Sequence, residues 1–443
     1  MTPAKLEKLR AMLAAFPGDA SNRLAETARH ADPALARLIE YCSTDPEVSA
    51  RKRFFAPLAP LSHDPETTRP SLAYAPPAIL EALWHWIDET LDPEAAEQSR
   101  AVAADVFKDE AGRLDEARVR VAGRILDGVA AVKDEPREAK RLKARLGVRD
   151  FDSVRDIAVI LRAAPALRTA LEGLPEQIGE ISDTLSADLR DRYETAAEAD
   201  PDAGAWFLYF VMARLTRPWR ILRAFERIGK RGDDFLLSRT DMSGIGEALL
   251  LDAGHFLAGF AQSPKTEAEA DAATQALSNF AAITVGMTRE IGIRKDGPWG
   301  QKLVELRNRA SSQMERHHER TRKAFEPLIA APKSERAARM TQVPQPGSEA
   351  FTEAQSLARF LLATKDDAAR AAAGGAHQQL LTGLQGRLEE LGGHLLNQLR
   401  VKDEDLQDKA QTRLEAVALL MTSLGEGKAA AVLLRRGAAA KAA

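Results

Sequence analysis

Glu315 stands three residues before His318 in the stretch SSQMERHHERTRKAFEP, residues 311–327. Glu-x-x-His at that spacing is how helices present ligands to di-iron carboxylate centres, where the motif is supplied twice and points into a bundle interior. The apolar stripe of the surrounding segment tests that chemistry. Leu303, Leu306, Ala310, Met314 and Ala324 recur in steps of three and four, which carries His317 and Thr321 onto the stripe. Glu315 falls well off it, His318 lies at its edge, and the nearest relative of the motif is Asp252-x-x-His255, with a shorter acid. The pattern predicts a solvated polar face with i,i+4 pairs, and His317 hydrogen-bonded at a packing seam instead of ligating a metal.

Other chemistry-bearing residues fare no better. Glu81, His85 and Glu89 step by fours but lie off the stripe of Leu80, Leu83, Ile87 and Leu91. His63-Asp64 falls among prolines, where no helix can present the pair. Asp233-Asp234 lacks the further aspartate of a diphosphate-binding helix. Gly244 and Gly246 form a Gly-x-Gly with no preceding strand and no third glycine. No serine sits in a nucleophile elbow. Cys42 is the single cysteine, so no internal disulfide forms and no cysteine zinc site is expected. The sequence assigns no catalytic residue, no metal ligand and no cofactor.

The stretch AWFLYFVMARLTRPWRILRAFERIGKRGDDF, residues 205–235, is the richest candidate for binding. Its run from Trp206 to Met212 is apolar all round, as in a helix buried on every side. Pro218 then starts a new helix. At 100° per residue, Ile221, Leu222, Phe225, Ile228 and Gly229 share an arc of about 120°. Arg220, Arg223, Arg227, Lys230 and Arg231 occupy the opposite arc, with Trp219 at the rim. Three roles fit this division. The cations pair with acidic neighbours such as those in LRDRYETAAEADPDA; or they dock an acidic protein partner, with Trp219 and the arginines as anchors; or they adsorb to an anionic membrane or nucleic acid. A formal net charge of −3 gives no reason to expect nucleic acid. The six residues Trp219, Arg220, Arg223, Arg227, Lys230 and Arg231 are the partner-binding candidates.

The elements that must carry these residues are helical. Of the 443 residues 45% are apolar and only 5% aromatic, and alanine and leucine supply much of the apolar content. Leu114, Val121, Ile125 and Val132 recur at turn spacing, as do Val154, Ile157 and Leu161, and Ile178, Leu185 and Leu189. No sustained alternation marks a strand. Pro33, Pro76, Pro93, Pro136, Pro175, Pro201 and Pro298 each lead into a helical pattern. The expected class is all-α, a multi-helix bundle or elongated array with a separate C-terminal helical hairpin. Its segments are a small helical unit over 1–53, a proline-rich extended strap over 54–78 packed along a surface, a main domain over 79–330, a hinge over 331–350, and the hairpin over 351–443. In the hairpin, Leu381, Leu384, Leu388, Leu391, Leu395 and Leu399, then Leu406, Ala410, Leu414, Val417, Met421 and Leu424, form a heptad-like seam. Gly383, Gly386, Gly392 and Gly393 interrupt its first helix, each costing about 1 kcal/mol against alanine unless helices approach closely there.

The N-terminal MTPAKLEKLRAML shows no signal-peptide core, and no apolar run approaches the ~20 residues of a membrane span. Alanine- and arginine-rich, lysine-poor usage is that of a high-GC bacterial chain. The sequence thus leads to a cytoplasmic, non-enzymatic adaptor or scaffold that binds a protein partner or itself. The rival is an all-α enzyme or small-ligand protein with a pocket near residues 205–325, and the third reading is attachment to an anionic membrane through the arginine face.

Overall fold

The computed structural model describes residues 33–64, 69–105, 112–228, 242–330, 345–371, 373–401 and 403–442, with positions 8, 9, 11–13, 23, 24, 27 and 28. The described residues build helices and no sheet; Ile178 and Leu215 meet in an isolated parallel bridge. The all-α class is as the periodicity requires. Contacts divide the chain into two units, Met1–Arg231 and Gly232–Ala443. That boundary falls inside the segment 79–330 expected to form one main domain. Residues 331–344, most of the expected hinge, lie outside the described residues.

The first unit opens with α1 (Pro33–Ser43) and α2 (Pro46–Phe54). Asp45 caps α2 by accepting from Glu47 N. The proline-rich segment is not simply extended. Ala56–Leu61 and Pro70–Leu72 are 3₁₀ turns, which tolerate prolines that an α-helix would not. Leu58 and Leu61 are fully buried, so the segment packs down as expected. Next come α3 (Pro77–Trp86), a π turn (Ile87–Leu91), α4 (Pro93–Ala104), α5 (Asp115–Ala131) and α6 (Pro136–Leu146). Helices α7 (Asp152–Leu171), α8 (Asp183–Ala199), α9 (Ala203–Arg214), a 3₁₀ turn (Pro218–Ile221) and α10 (Leu222–Ile228) complete the unit. The all-round apolar run of α9 is buried from Trp206 to Met212, packed on α7, α8 and the first 3₁₀ turn.

Two expectations fail between α7 and α8. Ile178 belongs to no helix, because Ser182 caps α8 by accepting from Leu185 N and so starts it later. Pro175 likewise leads into no helix; it lies in the segment that bridges to Leu215.

The second unit holds α11 (Ser243–Gly259), α12 (Glu267–Glu290), α13 (Pro298–Ile329), α14 (Glu349–Ala363), α15 (Lys365–Arg370), α16 (Gly374–Gln398), α17 (Glu404–Ser423) and α18 (Gly427–Ala442). All twelve residues of the leucine seam are buried. They do not form a separate hairpin. Phe325, Leu328 and Ile329 of α13 and Phe351 and Leu361 of α14 share their core, because α13 continues for 32 residues and its last turns present apolar groups to α16. Gly392 and Gly437 mark close helix approaches: an added Cβ would come within 2.9 Å of Leu433 and 2.3 Å of Leu414 respectively. At Gly383, Gly386 and Gly393 such an atom would meet nothing within 4 Å.

Candidate functional site

The arginine face begins as the helical wheel places it. Ile221, Leu222 and Phe225 are fully buried, Arg223 is exposed, and Trp219 is half-buried. Arg220 Nη1 lies 2.7 Å from Glu180 Oε1, and Arg223 Nη2 lies 3.4 Å from Asp183 Oδ1. These acids come from just before and at the start of α8, not from the later LRDRYET stretch, because α8 packs beside α10. The two cations are therefore held in ion pairs. Lys230, Arg231 and the side chain of Arg227 lie outside the described residues.

The histidines of α13 resolve differently from each other. Glu315 is exposed, as its position on the wheel implies. His317 Nε2 donates to Phe260 O at 2.7 Å, so its Nδ1 is left to accept from Ser263 Oγ at 2.9 Å. It is a hydrogen-bonded seam residue, and burial lowers its pKa. His318 is not at an edge: it is 2% exposed, with Nε2 3.0 Å from Nδ1 of His377. Burial, then the His377 ring, lowers its pKa to about 4. Among the described residues no group of three His, Cys, Asp or Glu side chains is placed to hold a metal ion. Elsewhere Glu81 pairs with Arg51 and Glu89 with Arg145, while His63 Nε2 donates to Pro60 O. Asp233 and Asp234 fall outside the described residues. The Gly-x-Gly has a packing reason: an added Cβ at Gly246 would lie 2.2 Å from the buried Trp299 ring.

The feature that sequence reading passed over is α18. Its sequence GKAAAVLLRRGAAAKA carries four cations and no acid. Ala430, Leu433, Gly437 and Ala440 are buried against the core and Ala429 packs beside them, a narrow strip. Ala431, Val432, Leu434, Ala438 and Ala439 are exposed, as are Lys428, Arg435 and Arg436. The contacts Gly437–Leu414 and Lys441–Asp408 set an antiparallel register with α17 that brings Leu419, itself 43% exposed, level with Ala431 and Val432. Lys441 pairs with Asp408 at 2.9 Å, and among the described residues no carboxylate pairs with Lys428, Arg435 or Arg436. The warning in the sequence was a helix apolar over most of its circumference and charged with one sign.

A cavity of about 300 Å³ opens in the first unit. Of the 205–325 range expected for a pocket, only Phe210 lines it. Among the described residues no helix is long and apolar enough to cross a membrane. No protein-family model, curated protein or solved structure matches the chain.

Proposed function

We propose that the protein is a non-enzymatic helical adaptor of the cytoplasm that grips an acidic, amphipathic helical segment of a protein partner. The observation that carries this is α18, which turns Val432, Leu434 and unpaired cations outward while burying Leu433 with alanine and glycine against the core. A helix-in-groove contact uses apolar anchors at three- and four-residue steps with charges around them, and Leu419 of α17 with Val432 and Leu434 of α18 offers that arrangement, the cations lying on α18. A second copy of the same face is a poor occupant, since each α18 brings four like charges. A membrane is a poor one too, because surface helices insert bulky Trp, Phe or Leu residues and this face is mostly alanine. The paired state of Arg220 and Arg223 makes the α10 face the weaker docking candidate.

The test uses the full chain and a synthetic helix with Leu at helical spacing and Glu elsewhere, against the same helix with Lys in place of Glu. The Glu helix binds at low salt, weakens as salt rises, and is lost in Leu434→Glu/Arg435→Glu. Absence of binding overturns the proposal, as do equal binding of the Lys helix, self-association through α18, or capture by anionic vesicles that the double substitution abolishes.

A further inference from the structure

The cavity of the first unit is assembled from four elements. Ala56 and Pro57 of the first 3₁₀ turn form one wall, and Phe210 of α9 another. Helix α7 contributes Ala164, Leu167, Arg168 and Leu171, whose spacing of three, one and three puts them on one face. Gly112, in the turn before α5, and Asp115 and Arg118 of α5 complete the lining. The walls are thus largely apolar, and the polar groups converge at one end.

Those polar groups form a chain in which each has a distinct task. Arg118 is 5% exposed, and its guanidinium is consumed: Nε donates to Phe54 O at 2.9 Å, Nη2 to Arg53 O at 2.7 Å, and Nη1 to Asp115 Oδ1 at 3.1 Å. Asp115 takes Arg168 on its other oxygen. Arg168 Nη2 is so placed, and Gly112, at φ +78°, lets it come close: a Cβ there would lie 3.2 Å from that nitrogen. Among the described residues the Nε and Nη1 donors of Arg168 have no partner, and its side chain is 50% exposed at the rim. Among the described residues, two guanidinium groups against one carboxylate leave the polar end of the lining with a net charge of +1.

We propose that this cavity binds a small monocarboxylate, its apolar body among Pro57, Leu167, Leu171 and Phe210 and its carboxylate on the open side of Arg168. Arg168 Nη2 keeps a second N–H beside the one given to Asp115, and with Nε or Nη1 on the open edge it forms a fork that matches a carboxylate in geometry, while one negative charge neutralises the site. A cation is disfavoured, because Asp115 is already engaged by two arginines. An engineered apolar cavity of about 150 Å³ takes benzene, so 300 Å³ accommodates an aromatic or branched acid of about a dozen heavy atoms. This inference is independent of the α18 reading, which concerns the other unit.

Phenylacetate is the probe, titrated into the full chain by calorimetry, with benzylamine, benzyl alcohol and acetate as controls. Phenylacetate binds more tightly than all three. Arg168→Gln, a rim change compatible with folding, weakens it roughly tenfold or more while leaving benzyl alcohol binding unchanged. Ala164→Leu, which fills the cavity, removes both. No binding of phenylacetate at low millimolar concentration overturns the proposal. So do benzylamine or acetate binding as well as phenylacetate, or phenylacetate binding that ignores Arg168→Gln.

Discussion

His318 Nε2 lies 3.0 Å from His377 Nδ1 in the second unit, and both side chains are at most 2% exposed. The direction of the bond follows from the next one along. His377 Nε2 meets Leu361 O at 2.6 Å, and a carbonyl only accepts, so His377 carries its proton on Nε2 and offers the Nδ1 lone pair to His318. Both rings are neutral in this chain of bonds. A proton on His377 Nδ1 breaks it, and one on His318 Nδ1 puts a charge in a dry core.

The pH dependence of stability follows with a definite sign. Burial lowers the folded pKa of His317, His318 and His377, for His318 from 6.5 to about 4. Between those values the unfolded chain binds more protons than the folded one. The contribution is therefore present above about pH 6.5 and is lost as pH falls toward 4, at about 1.4 kcal/mol per pH unit for each proton taken up. Urea midpoints measured from pH 7.5 to 4.5 show this as a steady fall. In His318→Gln the fall is shallower; equal slopes for the two proteins mean that the ring is not held neutral.

Glycines that look alike in sequence should respond oppositely to alanine. Gly246 faces the Trp299 ring, which is fully buried and has no room to retreat. Gly246→Ala is expected to destabilise by about 1–3 kcal/mol through overpacking. Gly386 faces open space on α16, so Gly386→Ala is expected to stabilise by about 0.5–1 kcal/mol. Chemical denaturation of the two variants decides it, and a loss of stability at Gly386 refutes the reading of α16 as an open helix face.

Asp156 on α7 works against the fold at neutral pH. Burial, then the Asp152 carboxylate, pushes its pKa up to about 6. A raised folded pKa means stability that is present below the unfolded value near 3.8 and lost as pH rises through 6. Asp156→Asn keeps the shape without the charge. It is expected to stabilise at pH 7.5 by on the order of 1 kcal/mol, since the site is partly screened by solvent, and to have little effect at pH 4. Thermal melts at the two pH values measure the difference, and a destabilised variant at pH 7.5 contradicts it.

Much of the local structure was legible residue by residue. Periodicity found the all-round burial of Trp206–Met212, the leucine seam through Leu424, and the outward position of Glu315, because a helix fixes side-chain directions every 100° regardless of its neighbours. The same geometry explains where reading failed. Ile178 had the right spacing but lay ahead of the Ser182 cap. His318 stood at the edge of the stripe that faces α14, yet α16 covers that edge with His377, which is 59 residues away.

What the chain determined by itself was its class and the faces of its helices, since both depend on interactions within a few residues. Tertiary structure alone decided which faces are covered. It brought Glu180 and Asp183 to Arg220 and Arg223, joined Arg118, Asp115 and Arg168 around a cavity, and left the outer side of α18 bare. Those outcomes rest on contacts between residues tens of positions apart, for which helical spacing carries no signal.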